Sequence, residues 1–172
     1  MAQTRKRILI DTDPGIDDAM ALLLAVASPE LDIAALTTVA GNNPDVDLLT
    51  RNALDIVALA GRDDIPVARG AAIALARRRP PVGAFVHGEN GLGGVDIAHS
   101  PRQALSQSAA EVLVNEARAG LDCFVALAPL TNFALALGLC PELPTLVPQL
   151  SLMGGAAGVP GNATPVAEAN IF

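Results

Sequence analysis

Four carboxylates crowd into DTDPGIDD: Asp11, Asp13, Asp17 and Asp18 lie within eight residues, directly after the apolar run Ile8, Leu9, Ile10. Like charges this close repel one another unless something positive joins them. Asp11 and Asp13 share one face of a strand by its period of two, Pro14 and Gly15 turn the chain, and Asp17 and Asp18 fall in the first turn of the next helix. A helix start favours negative charge, so Asp17 and Asp18 could serve only as helix-terminus acids. That leaves Asp11 and Asp13 unexplained. A hard cation bound by carboxylate oxygens would remove the repulsion among all four.

The elements that must hold these acids can be read from the periodicity. ILI (8–10), DDAMALLLAVA (17–27), DIAALTTVA (32–40) and the stretch from Pro44 to Ala60 read as strand, helix, strand, helix. Asn43 before Pro44 is expected to cap the second helix, and Gly61 to stop it. A short strand follows at Ile65 to Ala68, SAAE (108–111) is a capping box opening a helix to about Ala119 that Gly120 ends, and Cys123 to Ala128 is a further strand. Strands apolar on both faces and separated by helices describe an α/β chain with a mostly parallel open sheet and helices on both faces. Ligands gather at the carboxyl ends of such strands, which is where the acid cluster lies. Residues 77–101, 154–165 and those after Val166 read as long loops, with Arg77 to Arg79 a solvated basic run.

Composition removes several chemistries. The 172 residues are 51% hydrophobic and 17% charged, enough for one domain with a sizeable core. A net charge of −7 disfavours nucleic acid or an anionic membrane surface and suits a cation or a neutral small molecule. Lysine occurs only at Lys6, which excludes a Gly-Lys-Ser/Thr phosphate loop and a mid-chain Schiff base. Trp and Tyr are absent, so there is no stacking platform for single strands. Cys123 and Cys140 read as buried inert thiols in a reducing compartment, and the basic start has an apolar run too short for a secretory signal, so a cytoplasmic protein is expected. The uncharged stretch from Cys123 to Pro141 is nearly long enough to cross a bilayer, but Pro129, Thr131 and Asn132 divide it into a strand and an apolar helix.

At this point the sequence resembles a known family, the calcium-dependent nucleoside hydrolases, or inosine-uridine preferring group. Five blocks carry the resemblance in family order: DTDPGIDDAMALLLA (11–25), TTVAGN (37–42), HGENGLGG (87–94), ALAPLTNFALAL (126–137) and MGGAAGVPGNATPVAEANIF (153–172). The resemblance implies hydrolysis of the N-glycosidic bond of ribonucleosides to ribose and free base, in nucleoside salvage. By position it makes Asp13 a calcium ligand that also deprotonates the attacking water, Asp18 a bidentate calcium ligand and Leu127 a ligand through its backbone carbonyl. It places Asp17, Asn42, Met153, Asn162, Glu168 and Asn170 at the substrate, with Asp11 as support behind the metal. The chemistry is coherent by itself, because bond breaking builds positive charge on the sugar and carboxylates stabilise that state. Carboxamides suit a polyhydroxylated sugar, although asparagine also fills turns.

The resemblance also places a further metal aspartate and an acid histidine in a carboxyl-terminal part beyond Phe172. The 172 residues are therefore expected to be the amino-terminal part of a single domain, inactive alone, and to associate as a homo-oligomer or with a second chain. Two other readings stand beside it: a catalytically incompetent calcium- or ribose-binding fragment, and an aspartate-based phosphohydrolase using DTD, which the missing downstream lysine disfavours. His87 is expected to have a structural role beside the site, and His99, without a partner in sequence, to lie at the surface. The glycines from Gly154 to Gly161 could cradle an anion, but no lysine accompanies them.

Overall fold

The computed structural model describes residues 5–76 and 83–172, so the basic run Arg77 to Arg79 lies outside the described residues. Lys6–Thr12 forms β1, Ile16–Ala27 α1, Leu31–Thr38 β2, Val46–Leu59 α2, Val67–Ala68 β3 and Gly83–His87 α3. Ala109–Gly120 forms α4, Cys123–Ala126 β4, Thr131–Leu139 α5, Leu143–Leu146 α6 and Gln149–Leu152 β5. All strand pairs are parallel, in the order β3-β2-β1-β4-β5. The expected parallel α/β sheet is present. Short α3 interrupts the loop expected from residue 77, and β5 and α6 are additions to the expected elements.

Alternation along β1 builds two cores. Ile8 and Ile10 face α1 and α2 with Leu22, Leu54 and Val57, whereas Leu9 faces α4, α5 and α6 with Leu113, Phe124 and Leu143. In β2 the pairing slips between Ile8 and Leu9, so that Ile8 opposes Ile33 and Leu9 opposes Ala35. This extra residue lets Ile33 and Leu36, three apart, enter the same core. With both faces covered, the strands can be apolar throughout. β5 differs: all four of its residues are exposed, and its outer edge has no strand partner among the described residues.

Strand order fixes where a site can form. The chain steps outward from β1 to β2 and β3, then returns to place β4 and β5 on the other side of β1. At such a reversal, connections leave neighbouring strand ends in opposite directions and open a crevice there. The crevice lies at the carboxyl ends of β1 and β4. The uncharged stretch divides as expected into β4 and α5, and no helix among the described residues is long and apolar enough to cross a membrane.

Side-chain caps open two of the helices, α2 and α4. Ser108 accepts from Glu111 N and Glu111 reaches back to Ser108 N, the expected capping box of α4, and Gly61 ends α2 with φ of 71°. The start of α2 differs from expectation: the cap is Asp45, not Asn43, and the helix begins at Val46. Asp45 Oδ1 accepts from Asp47 N at 3.0 Å and Leu48 N at 3.1 Å, while Asn43 Oδ1 accepts from Asp45 N at 2.8 Å. Asn43 thus shapes the turn before the cap. Asp45→Ala should lower unfolding free energy in urea by about 1 kcal/mol, and Asn43→Ala should cost less.

Candidate functional site

Hydrogen bonds beyond the strands pin the end of β1 between its neighbours. Val39 N donates to Thr12 O at 3.2 Å and Leu127 N to Asp11 O at 2.8 Å. Alternation then sends consecutive side chains to opposite faces. Asp11 points to the α5 face, where Thr37 Oγ1 of β2 at 2.6 Å and Asn132 Nδ2 of α5 at 2.8 Å both donate to its Oδ1. Its Oδ2 is buried without a partner. Burial pushes the Asp11 carboxyl up to about 7, against the pull of the Thr37 and Asn132 hydrogen bonds. Thr12 points to the other face and donates from Oγ1 to Asp18 Oδ1 at 2.6 Å, while Gly15 N donates to Asp18 Oδ2 at 3.1 Å. Burial also raises Asp18, opposed mainly by the Thr12 and Gly15 hydrogen bonds.

Asp13 follows the strand and is 3% exposed. Asn42 N donates to its Oδ2 at 2.6 Å, and Asn42 Nδ2 donates to Asp13 O at 3.0 Å and Asp18 Oδ2 at 3.2 Å. Two glycines make room for this contact. A Cβ on Gly41 would stand 2.0 Å from Asp13 Oδ2, and one on Gly15 2.8 Å from Asn42 Nδ2.

These groups open onto a cavity of about 430 Å³. Asp13, Asp17 and Asp18 line it from the β1 side, Asn42 from the end of β2, Leu127 and Met153 from the ends of β4 and β5, and Asn162 and Asn170 from the last loop. No lysine or arginine among the described residues lines it. Asn170 Nδ2 donates to Leu127 O at 2.8 Å and Met153 O at 3.0 Å, and Asn162 Oδ1 accepts from Ala169 N at 2.8 Å. Glu168 is not among the lining residues: it is buried, with Oε2 accepting from Gly155 N and Asn170 N and Oε1 without a partner. It stands behind Asn170.

His87 lines the cavity, and its Nδ1 accepts from Ile16 N at 3.3 Å and lies 3.8 Å from Asp17 Oδ1. His99 is exposed as expected, but it has a partner, Asp55 Oδ2 at 2.6 Å. Sequence reading missed Asn132 as a member of the support. Its Nδ2 also donates to Thr38 O and its Oδ1 accepts from Ala71 N, so one buried amide joins β1, β2, α5 and the segment after β3. The signal was there: a buried polar residue in an apolar stretch must find partners.

The sequence matches the family described as inosine-uridine preferring nucleoside hydrolase over residues 8–172. The chain belongs to this family. It is 48% identical over 171 residues to "Probable uridine nucleosidase 2" of Arabidopsis thaliana, covering 98% of this chain and 53% of the relative. It is 46% identical over 169 residues to "Non-specific ribonucleoside hydrolase RihC" of Escherichia coli O1:K1, covering 97% and 54%. The solved structure "Purine-Preferring Ribonucleoside Hydrolase from Gardnerella vaginalis" superposes with a TM-score of 0.90 at 35% identity, covering 96% of this chain and 54% of that one. The chain thus spans about half the length of these relatives, and its parallel sheet is the nucleoside hydrolase fold.

The donor chemistry fits a hard cation in kind. Asp13, Asp18 and Leu127 line one acidic cavity, and their carboxylate and carbonyl oxygens are the donors such an ion takes, although among the described residues no group of three or more His, Cys, Asp and Glu side chains is placed to hold a metal. Gly41→Ala, which must displace Asp13 or the Pro129 ring, should lower the melting temperature. Gly138→Ala, inside α5 with open space at its Cβ position, should instead stabilise by about 0.4–1 kcal/mol; both are checked by calorimetry.

Proposed function

We propose that this chain carries the water-activating and ribose-binding side of a hydrolase that cleaves the N-glycosidic bond of ribonucleosides. The observation that carries this reading is the cavity itself, where Asp13, Asp17 and Asp18 face two asparagines with no basic side chain among the described lining residues. Asp13 acts as general base and takes a proton from water as the water oxygen bonds to the anomeric carbon. The glycosidic bond breaks, its electron pair leaves with the base, and the base regains a proton. Positive charge on the ribose ring is stabilised by the carboxylates more than the neutral substrate is.

Asp13 and Asp18 would hold a calcium ion with the Leu127 carbonyl, and water would complete the six to eight oxygens that calcium prefers. When bound, the ion supplies positive charge that orients the ribose diol and eases deprotonation of water. Asp17, whose side chain is 68% exposed, reaches a ribose hydroxyl. Asn162 offers its amide to the others, while Asn170, whose Nδ2 serves the Leu127 and Met153 carbonyls, offers its Oδ1 as an acceptor. Met153 covers the apolar side of the sugar, and Glu168 serves by fixing the Asn170 backbone. The names of the relatives, which include uridine, non-specific and purine-preferring enzymes, support a ribonucleoside substrate with the base left open.

The half-length match favours a second statement about the same chain: residues 1–172 alone turn over poorly and act as one part of a larger nucleoside hydrolase domain, which assembles as a homo-oligomer. The phosphohydrolase reading loses its nucleophile, because Asp11 is fully buried against Thr37 and Asn132 and does not line the cavity.

The test is an assay of the longest gene product with calcium, using inosine, uridine, adenosine and cytidine beside their 2′-deoxy forms, and of residues 1–172 in parallel. Ribonucleosides should be cleaved much faster, since polar groups built around a hydroxyl are left unpaired without it. Equal rates on inosine and deoxyinosine would contradict the ribose reading. Equal rates for the short and long products would contradict the statement about length. Asp13→Ala should lower kcat by about 10²–10⁴-fold with a smaller change in KM.

A further inference from the structure

Asn42 has already spent its donors. A carboxamide carries two N–H groups, and those of Asn42 go to Asp13 O at 3.0 Å and Asp18 Oδ2 at 3.2 Å. Its backbone N–H goes to Asp13 Oδ2 at 2.6 Å. A substrate hydroxyl could take a donor from Asn42 only by breaking one of these bonds. The bonds also join three parts of the chain, because Asn42 follows β2, Asp13 follows β1 and Asp18 lies in the first turn of α1. Gly15 and Gly41 flank the contact, and a Cβ on either would meet Asn42 Nδ2 or Asp13 Oδ2 at 2.8 Å or less. Backbone and side chain thus fit around one task.

That task is to keep two carboxylates close. The like charges of Asp13 and Asp18 would otherwise drive the side chains apart, and hydrogen bonds to ionised acceptors are among the stronger ones available to offset this. We propose that Asn42 is a positioning residue, which sets the Asp13 and Asp18 carboxylates as a ready-made pair for the calcium ion and does not read the substrate through its amide. This rests on the calcium reading of the site given above.

The experiment is a calorimetric calcium titration of the full-length protein, with substrate kinetics, for wild type, Asn42→Ala, Asn42→Ser and Asn162→Ala. Removing a group that orients metal ligands costs about 10–100-fold in metal affinity, so Asn42→Ala should weaken calcium by that factor and lower kcat at fixed calcium. High calcium should restore part of the loss. Asn162→Ala should raise KM and leave calcium affinity unchanged. If Asn42→Ala fails to fold, Asn42→Ser, which keeps the backbone donor and loses the amide, decides by the same titration. A wild type that binds no calcium overturns the calcium reading and this proposal together. A wild type that binds, with Asn42 variants that bind equally well and differ only in KM, overturns this proposal alone.

Discussion

The carboxyl end of this sheet depends on burying acids where no lysine or arginine side chain among the described residues lines the cavity. Asp11, Asp13 and Asp18 are each at most 5% exposed, and a buried carboxylate without partners is costly. The fold answers with neutral donors. Thr37 and Asn132 serve Asp11, Thr12 and Gly15 serve Asp18, and Asn42 serves Asp13 and Asp18 together. Neutral donors lower the cost without cancelling the charge, so the cavity stays acidic, as the proposed cation requires. A lysine in their place would pair with the acids and cancel their charge, leaving nothing for the proposed cation to offset.

Pleating decides which element supplies each donor. Odd positions of β1 face α4 and α5, so Asp11 meets Asn132, and even positions face α1 and α2, so Thr12 meets Asp18. The same rule continues in β2, where Thr37 turns to Asp11 while Thr38 pairs with Thr50 of α2 at 2.7 Å. A shift of one residue in β1 would exchange these faces, strand Asp11 against the apolar neighbours of α1 and α2, and part Thr12 from Asp18. The bulge in β2 therefore matters to the site as well as to the core: it sets which face Thr37 and Thr38 present.

Much of this was legible in the chain, and the rest fails for physical reasons. Apolar strands separated by helices announce a wound parallel sheet, and the acids after the first strand announce where to look. The QLSL of β5 carries little pattern because all four residues are exposed, and four-residue α6 is shorter than two turns of any periodicity. The Asn43 cap was misplaced because both Asn43 and Asp45 are good caps, and only the turn geometry chooses between them. Partners distant in sequence leave no local mark. Asn132 meets Asp11 across 121 positions and His99 meets Asp55 across 44. For the cavity, crowded charge marked the acids and the resemblance marked the asparagines, while Glu168 does not line it and bonds instead to the Gly155 and Asn170 amides.

The two walls of the cavity are built by different physics. On the acid side, strand ends and helix starts are continuous with the cores through Leu9, Ile10 and Leu22, so those side chains open only when much of the sheet opens. On the asparagine side, residues 153–172 contain no helix or strand, and hydrogen bonds hold them: Asn170 to the Leu127 and Met153 carbonyls, Glu168 to Gly155 and Asn170, Asn162 to Ala169. Most of this segment is exposed, and such loops open at lower free energy than core elements. The division suits the proposed hydrolysis. Proton transfer and charge stabilisation need fixed carboxylates, since their benefit comes from not having to reorganise. The proposed recognition of a sugar is served by a wall held through hydrogen bonds, which can be exchanged for bonds to a ligand at lower cost than core packing.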